Sequence, residues 1–131
     1  MRKSLTVLTL PVAQCRKVST TADPEQFGNQ VMVGLMGEFS RTPRINGNAG
    51  RDHWGQAQSI LVAGGGYRHG QIIGATNSKA EHPIERPVGP LDLCAIVYNA
   101  LQLDPAQLTV TLPDGRPMHL AQGGRVPPEL V

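Results

Sequence analysis

The sequence predicts a loop-rich α/β domain, with short apolar strands ending in polar loops and one helix packed among them. Three observations predict it. Apolar runs of strand length stand at 30–37, 59–66 and 71–76, each closing in Gly or polar residues. One longer apolar run, 91–103, has helix length and a proline just before it. Gly 15 and Pro 11 in 131 residues exceed the ordinary share without reaching low complexity, so loops connect the elements of one domain at most. Hydrophobic residues make up 40% and aromatics 4%, so the core is expected to be aliphatic.

The elements follow in order. MRKSLTVLTLPVAQC, residues 1–15, superficially resembles an export signal, with Arg2 and Lys3 ahead of an apolar run. Thr6, Thr9 and Pro11 interrupt that run, and Gln14 is not the small residue a lipoprotein signal places before its cysteine. Residues 16–29 are polar and carry Pro24 and Gly28, so 1–29 is read as an N-terminal arm and 30–131 as the domain. QVMVGLMG, 30–37, is apolar almost throughout, which predicts a strand covered on both faces, ending at Glu38. SILVAGGG, 59–66, is the second strand. Its Gly64-Gly65-Gly66 predicts a tight turn with close backbone approach, because a phosphate cradle would need the Lys and Ser/Thr that GGGYRHG lacks.

QIIGAT, 71–76, is a third, shorter strand, and 77–88 a charged loop stiffened by Pro83 and Pro87. Pro90 suits a first helical turn, with Asp92 near its positive end. The run 91–103 is apolar almost all round and predicts a buried helix, with Cys94 a buried thiol, stopped at Asp104-Pro105. LTVTL, 108–112, is a weak strand, Pro113-Asp114-Gly115 is turn chemistry, and GGRVPPELV closes the chain as loop. In open α/β folds ligands bind at the carboxyl ends of strands, which directs attention to the loops.

Composition excludes several classes of function. A net charge of +2 with scattered basic residues and no aromatic–basic stacking surface argues against nucleic acid, despite a pI of 8.8. No stretch approaches the roughly 20 apolar residues that span a bilayer. Cys15 and Cys94 have no CxxC or metal-ligand spacing, and a bridge between them would need an oxidising compartment.

The chemistry is concentrated in MGEFSRTPRINGNAGRDHW, residues 36–54. Glu38, Asp52 and His53 are hard or borderline ligands of the kind that hold Zn²⁺ or a similar divalent cation, and Glu38 directly follows a strand. The plain alternative is a carboxylate capping local amides and a histidine in a solvent-facing turn. Arg41, Arg44 and Arg51 could clamp an oxyanion through paired N–H donors, or be ordinary surface charge. His69, His82 and His119 fall in separate loops, and neither a GxSxG elbow nor a Ser–His–Asp set is present.

MGEFSRTPRINGNAGRDHW, then SILVAGGGYRHGQIIGAT, then RPVGPLDLCAIVYNALQLDP, closely resembles the C-terminal part of the domain of unknown function 1501 family, over about residues 30–120. These are bacterial, often exported proteins grouped with the alkaline phosphatase and sulfatase superfamily. The resemblance implies part of an alkaline-phosphatase-like α/β sheet, and hydrolysis of phosphate or sulfate esters at metal ions. Glu38, Asp52 and His53 would line the metal, with Arg41 and Arg51 on a small anionic ester. The helix led by Asp92 would be structural. Phe39 stands where the superfamily motif has a metal-binding His, and Ser40 where the family commonly has Gly. The nucleophile-bearing half has no counterpart here. The chain is therefore expected to be a C-terminal fragment, inactive alone, or a non-catalytic module that docks on a partner chain supplying the missing half.

Overall fold

The computed structural model describes residues 4–9, 30–120 and 123–131. Its main sheet is built from β1 (Ser4–Thr9), β2 (Met32–Leu35), β5 (Ala57–Gly64) and β6 (Ile72–Ile73), in the order β2-β5-β1-β6. β5, the longest apolar strand, sits inside the sheet. It runs parallel to β1, from Ser4↔Ala57 to Thr9↔Val62, and antiparallel to β2, from Met32↔Gly64 to Leu35↔Leu61. β6 lies antiparallel to β1 through Val7↔Ile73. Three two-stranded ribbons surround the sheet: β3 (Ser40–Arg41) with β4 (His53–Trp54), β7 (Ala75–Thr76) with β8 (Pro83–Glu85), and β9 (Thr109–Thr111) with β10 (Pro117–His119). The one helix among the described residues is α1 (Pro90–Ala100). This is a small, loop-rich α/β mixture dominated by short antiparallel pairs.

Several expectations are met. The strands at 59–66, 71–76 and 108–112 form at β5, β6–β7 and β9, with 71–76 split by Gly74, whose φ of 86° takes it out of the extended region. Gly64, Gly65 and Gly66 all have positive φ. A Cβ on Gly65 would stand 3.1 Å from the Cβ of Ala100 and 3.3 Å from that of Met32, so the turn closes by backbone approach.

Other expectations need correction. Residues 4–9, grouped at the sequence level with the arm, contribute β1 to the sheet; residues 10–29, and with them Cys15, lie outside the described residues. β2 is not covered on both faces: Val33 is 50% and Leu35 67% exposed, because β2 stands at the end of the strand order rather than inside it. Nor is the helix buried all round. Only Ala95 and Ile96 are buried, Leu91 and Leu101 are exposed, and Cys94 is an exposed free thiol. One layer of sheet covers one side of a helix, so an all-round apolar sequence leaves the other side in solvent.

The core joins Ile60 and Val62 of β5 to Tyr67, Ile73, Val88, Ile96 and Leu130, with Met32, Leu93, Ala100 and Val126 packed against it. Complete burial of each such aliphatic is worth roughly 1.5–3 kcal/mol. Leu130 is completely buried although its segment reads as loop. The Arg68 N–H donates to its carbonyl at 2.8 Å, and Gln71 Nε2 donates to the Glu129 carbonyl at 2.8 Å. Arg86 and Glu129 form an ion pair that fastens the same segment. Tyr67 donates its hydroxyl to the Ile96 carbonyl at 2.5 Å, with Asn99 Oδ1 at 3.1 Å, and burial pushes its phenol above the ordinary value.

α1 begins as Pro90 predicts. The Asp92 carboxylate accepts the Gly89 N–H at 2.7 Å and the Arg125 N–H at 2.8 Å, so one side chain caps the helix and ties the last segment to it. The helix ends with Leu103 N–H on the Tyr98 carbonyl at 2.9 Å and Gln102 in the left-handed region, φ 57°.

Candidate functional site

The polar stretch 36–54 folds as a hairpin. β3 and β4 pair through Ser40↔Trp54 and Arg41↔His53, and the Thr42 N–H extends the ladder to the Asp52 carbonyl at 2.9 Å. Side chains alternate across such a ribbon, so its two faces carry different residues. Arg41 and His53, a directly paired couple, share one face, with Phe39 and Arg51 in phase. Ser40, Thr42, Asp52 and Trp54 belong to the other.

The second face is the anchor. Trp54 Nε1 donates to the Glu81 carbonyl at 2.7 Å, across 27 residues of chain. Glu81 is fixed in turn by Asn77, whose Oδ1 accepts the Glu81 N–H at 2.7 Å and whose Nδ2 donates to Glu81 Oε2 at 3.1 Å. Arg44 approaches Glu81 Oε1 at 3.9 Å, but its side chain is 83% exposed and such a pair adds little. Thr42 Oγ1 accepts the Asp52 N–H at 3.1 Å and donates to the Arg44 carbonyl at 2.9 Å.

Asn46 organises the loop tip. Its Nδ2 donates to Asp52 Oδ1 at 2.9 Å, and its Oδ1 accepts the N–H groups of Asn48 at 3.0 Å and Gly50 at 2.9 Å. Its own N–H donates to the Gly50 carbonyl at 2.8 Å. Sequence reasoning missed Asn46, Asn77 and the anchoring role of Trp54. Asn46-Gly47 is a turn signal that could have found the first, since an Asn side chain commonly bonds backbone a few residues on. Asn77 bonds the Glu81 N–H four residues on in the same local way, whereas nothing local marks Trp54, whose partner lies 27 residues along the chain.

The first face is cationic. Arg41, Arg51 and His53 are all exposed. The Phe39 and His53 rings stack with centroids 3.8 Å apart and planes 31° from parallel, and the Arg41 guanidinium lies 5.4 Å from the Phe39 centroid. Arg41 Nη1 also reaches the Arg51 carbonyl at 3.4 Å, so the guanidinium lies along the Arg51 backbone. A ring beside a guanidinium and an imidazole restrains both at small entropic cost.

The structure thus pairs Arg41 with His53, lays the Arg41 guanidinium on the Arg51 carbonyl, and does not group the expected metal ligands. Asp52 and His53 are sequence neighbours on opposite faces of the ribbon, and Asp52 Oδ1 is already taken by Asn46. Glu38 sits in the bend before β3, exposed. Among the described residues no three His, Cys, Asp or Glu side chains are grouped to hold a metal ion. As a trio, Glu38, Asp52 and His53 do not fit a divalent cation. His82 and His119 lie apart and exposed, and the buried Nδ1 of His69 has no hydrogen-bond partner, with desolvation holding its pKa below the ordinary value.

A cavity of about 200 Å³ at the foot of α1 is lined by Arg86, Asp92 and Arg125 with Ile73, Val88 and Pro127. Arg86 is paired with Glu129, and Asp92 holds two backbone N–H groups, so this charge serves the fold.

The family model for proteins of unknown function DUF1501 matches residues 23–131. The chain belongs to this family. The match takes in the hairpin, the main-sheet strands β2, β5 and β6, and α1, so the DUF1501 domain carries the cationic face along with its anchors. No curated protein and no solved structure matches the chain. Among the described residues of this DUF1501 chain no helix is long and apolar enough to cross a membrane.

Proposed function

We propose that this DUF1501 chain is the anion-binding part of a phosphatase- or sulfatase-like hydrolase with an alkaline-phosphatase-like α/β sheet, and that Arg41 and Arg51 hold the oxyanion of a small ester. One observation carries the reading. The hairpin carries Arg41 and the in-phase Arg51 on one exposed face and makes its anchoring contacts, with Arg44 beside Glu81, from the other. Guanidinium N–H donors in fixed geometry match the oxygens of phosphate or sulfate, and charge-assisted bonds are about twice as strong as neutral ones. The arginines bind and orient the ester. A divalent ion, where the hydrolase uses one, supplies Lewis-acid polarisation of an ester oxygen, but the described donors do not converge on it, so the reading rests on the guanidiniums.

Calorimetric titration with inorganic phosphate at low ionic strength tests it. Binding is expected for the wild type and at least tenfold weaker binding for Arg41→Ala combined with Arg51→Ala. Equal heats from both proteins would remove its basis.

A second reading, a non-catalytic module that docks on a partner chain, is favoured by β2. Val33, Leu35 and Met36 are exposed there, and an apolar cavity of about 200 Å³ lies between β2 and α1, lined by Met32, Gly34, Met36, Leu93, Val97 and Leu101. Light scattering across a hundredfold concentration range distinguishes the two, since a chain that needs a partner is expected to self-associate through this surface. A clean monomer at all concentrations would count against docking.

A further inference from the structure

The cationic face holds one group that the anion-binding reading leaves idle, the imidazole of His53. It is the Cα partner of Arg41 across the ribbon, it is exposed, and it is stacked on Phe39, which also flanks the Arg41 guanidinium. We infer that His53 is a third donor to the bound oxyanion, that Phe39 is the residue positioning it beside Arg41, and that the site therefore takes the end group of a monoester, with three terminal oxygens, in preference to a diester with two. This rests on the anion-binding reading and goes beyond it by naming the class of ester.

The argument is one of matching numbers. Arg41 and His53 face each other in the two-residue ladder, and Arg51, two residues before His53, is in phase with them as a third donor. A phosphate or sulfate monoester offers three non-bridging oxygens, one for each. A diester offers two and brings a second substituent where the third donor stands, leaving the imidazole without a partner and the substituent against it. The imidazole contributes an N–H whether neutral or charged. Its orientation matters more than its charge, and the ring stacked 3.8 Å away sets that orientation. Phe39 touches no ligand in this arrangement. It acts through His53 and Arg41.

The test uses two monoanions that differ in oxygen count, methyl sulfate with three terminal oxygens and dimethyl phosphate with two. Each is titrated calorimetrically into the full chain and its variants, and NMR follows the His53 imidazole protons where that residue is kept. The wild type is expected to bind methyl sulfate about fivefold more tightly, the effect of one exposed charge-assisted bond. His53→Ala should bring the ratio to about one. Phe39→Leu should lower it part-way and move the imidazole protons downfield, out of the ring current of the stacked phenyl, whereas Phe39→Tyr should preserve both. A purely structural role for Phe39 would weaken both anions alike and leave the ratio intact. Equal affinities in the wild type, or a ratio surviving in His53→Ala, overturn this inference and leave anion binding by the arginines standing. Binding of neither anion, nor of inorganic phosphate, overturns both.

Discussion

Asn46→Ala should loosen the tip of the hairpin without unfolding the domain. The substitution deletes three side-chain hydrogen bonds, to Asp52 Oδ1 and from the N–H groups of Asn48 and Gly50, and keeps the backbone bond from Asn46 to the Gly50 carbonyl. A typical bond nets about 0.5–1.5 kcal/mol, and three at an exposed loop belong near the lower end, about 1.5–3 kcal/mol of local stability. At 1.4 kcal/mol per factor of ten, the tip should open roughly 10- to 100-fold more often. Hydrogen exchange reads that opening directly: the Gly50 and Asn48 amides should exchange faster by such a factor, while β5 amides, which lie in the main sheet, should stay within about a factor of three. Asn46→Asp keeps an acceptor for the Asn48 and Gly50 N–H groups but sets a carboxylate against that of Asp52, so its exchange should fall between wild type and Asn46→Ala. Unchanged exchange at Gly50 in Asn46→Ala would refute the reasoning, since the tip would then be held by its backbone alone.

Tyr67→Phe removes a hydroxyl buried against the Ile96 carbonyl and should cost about 1–3 kcal/mol in urea unfolding. Because the phenol is raised in the folded state, stability is constant below the unfolded pKa near 10 and falls above it, as the unfolded chain ionises first; the Tyr67→Phe variant should lack that fall. Asp92→Ala releases the Gly89 and Arg125 N–H groups together and should cost about 2–4 kcal/mol, read as a lower urea midpoint at unchanged slope. Zn²⁺ titration should give equally weak uptake for wild type and His53→Ala, since Asp52 and His53 diverge; a site lost with His53 would reinstate Glu38 and His53 as ligands.

The sequence made legible what is set by short stretches of chain. β5 and β9, the triple-glycine turn, the proline-started helix and the Pro113-Asp114-Gly115 reversal all follow from patterns within about ten residues, and each is present. It misled where the answer depends on what stands next to an element. The apolar runs of β2 and α1 read as buried, yet a strand at the end of the sheet and a helix covered on one side leave Val33, Leu35, Leu91 and Leu101 in solvent. Leu130 shows the opposite failure. It sits in a Pro-Pro loop, and its burial follows from long-range contacts: core packing, the bonds from Arg68 and Gln71 to its segment, and the Arg86–Glu129 ion pair.

The candidate site repeats this division within nineteen residues. Composition showed that 36–54 is rich in chemistry, but counting carboxylates and a histidine says nothing of which face each occupies. The period of two in a paired strand settles that. It sends Asp52 to the anchoring side with Thr42 and Trp54, and His53 to the exposed side with Arg41. One consequence is physical independence: the cations can be removed one at a time without touching a bond that holds the hairpin, apart from the long contact of Arg41 to the Arg51 carbonyl. Substitutions on the cationic face should therefore change anion affinity at nearly constant stability, and substitutions at Asn46, Asp52 or Trp54 should change both. That separation makes the binding measurements interpretable as statements about the site.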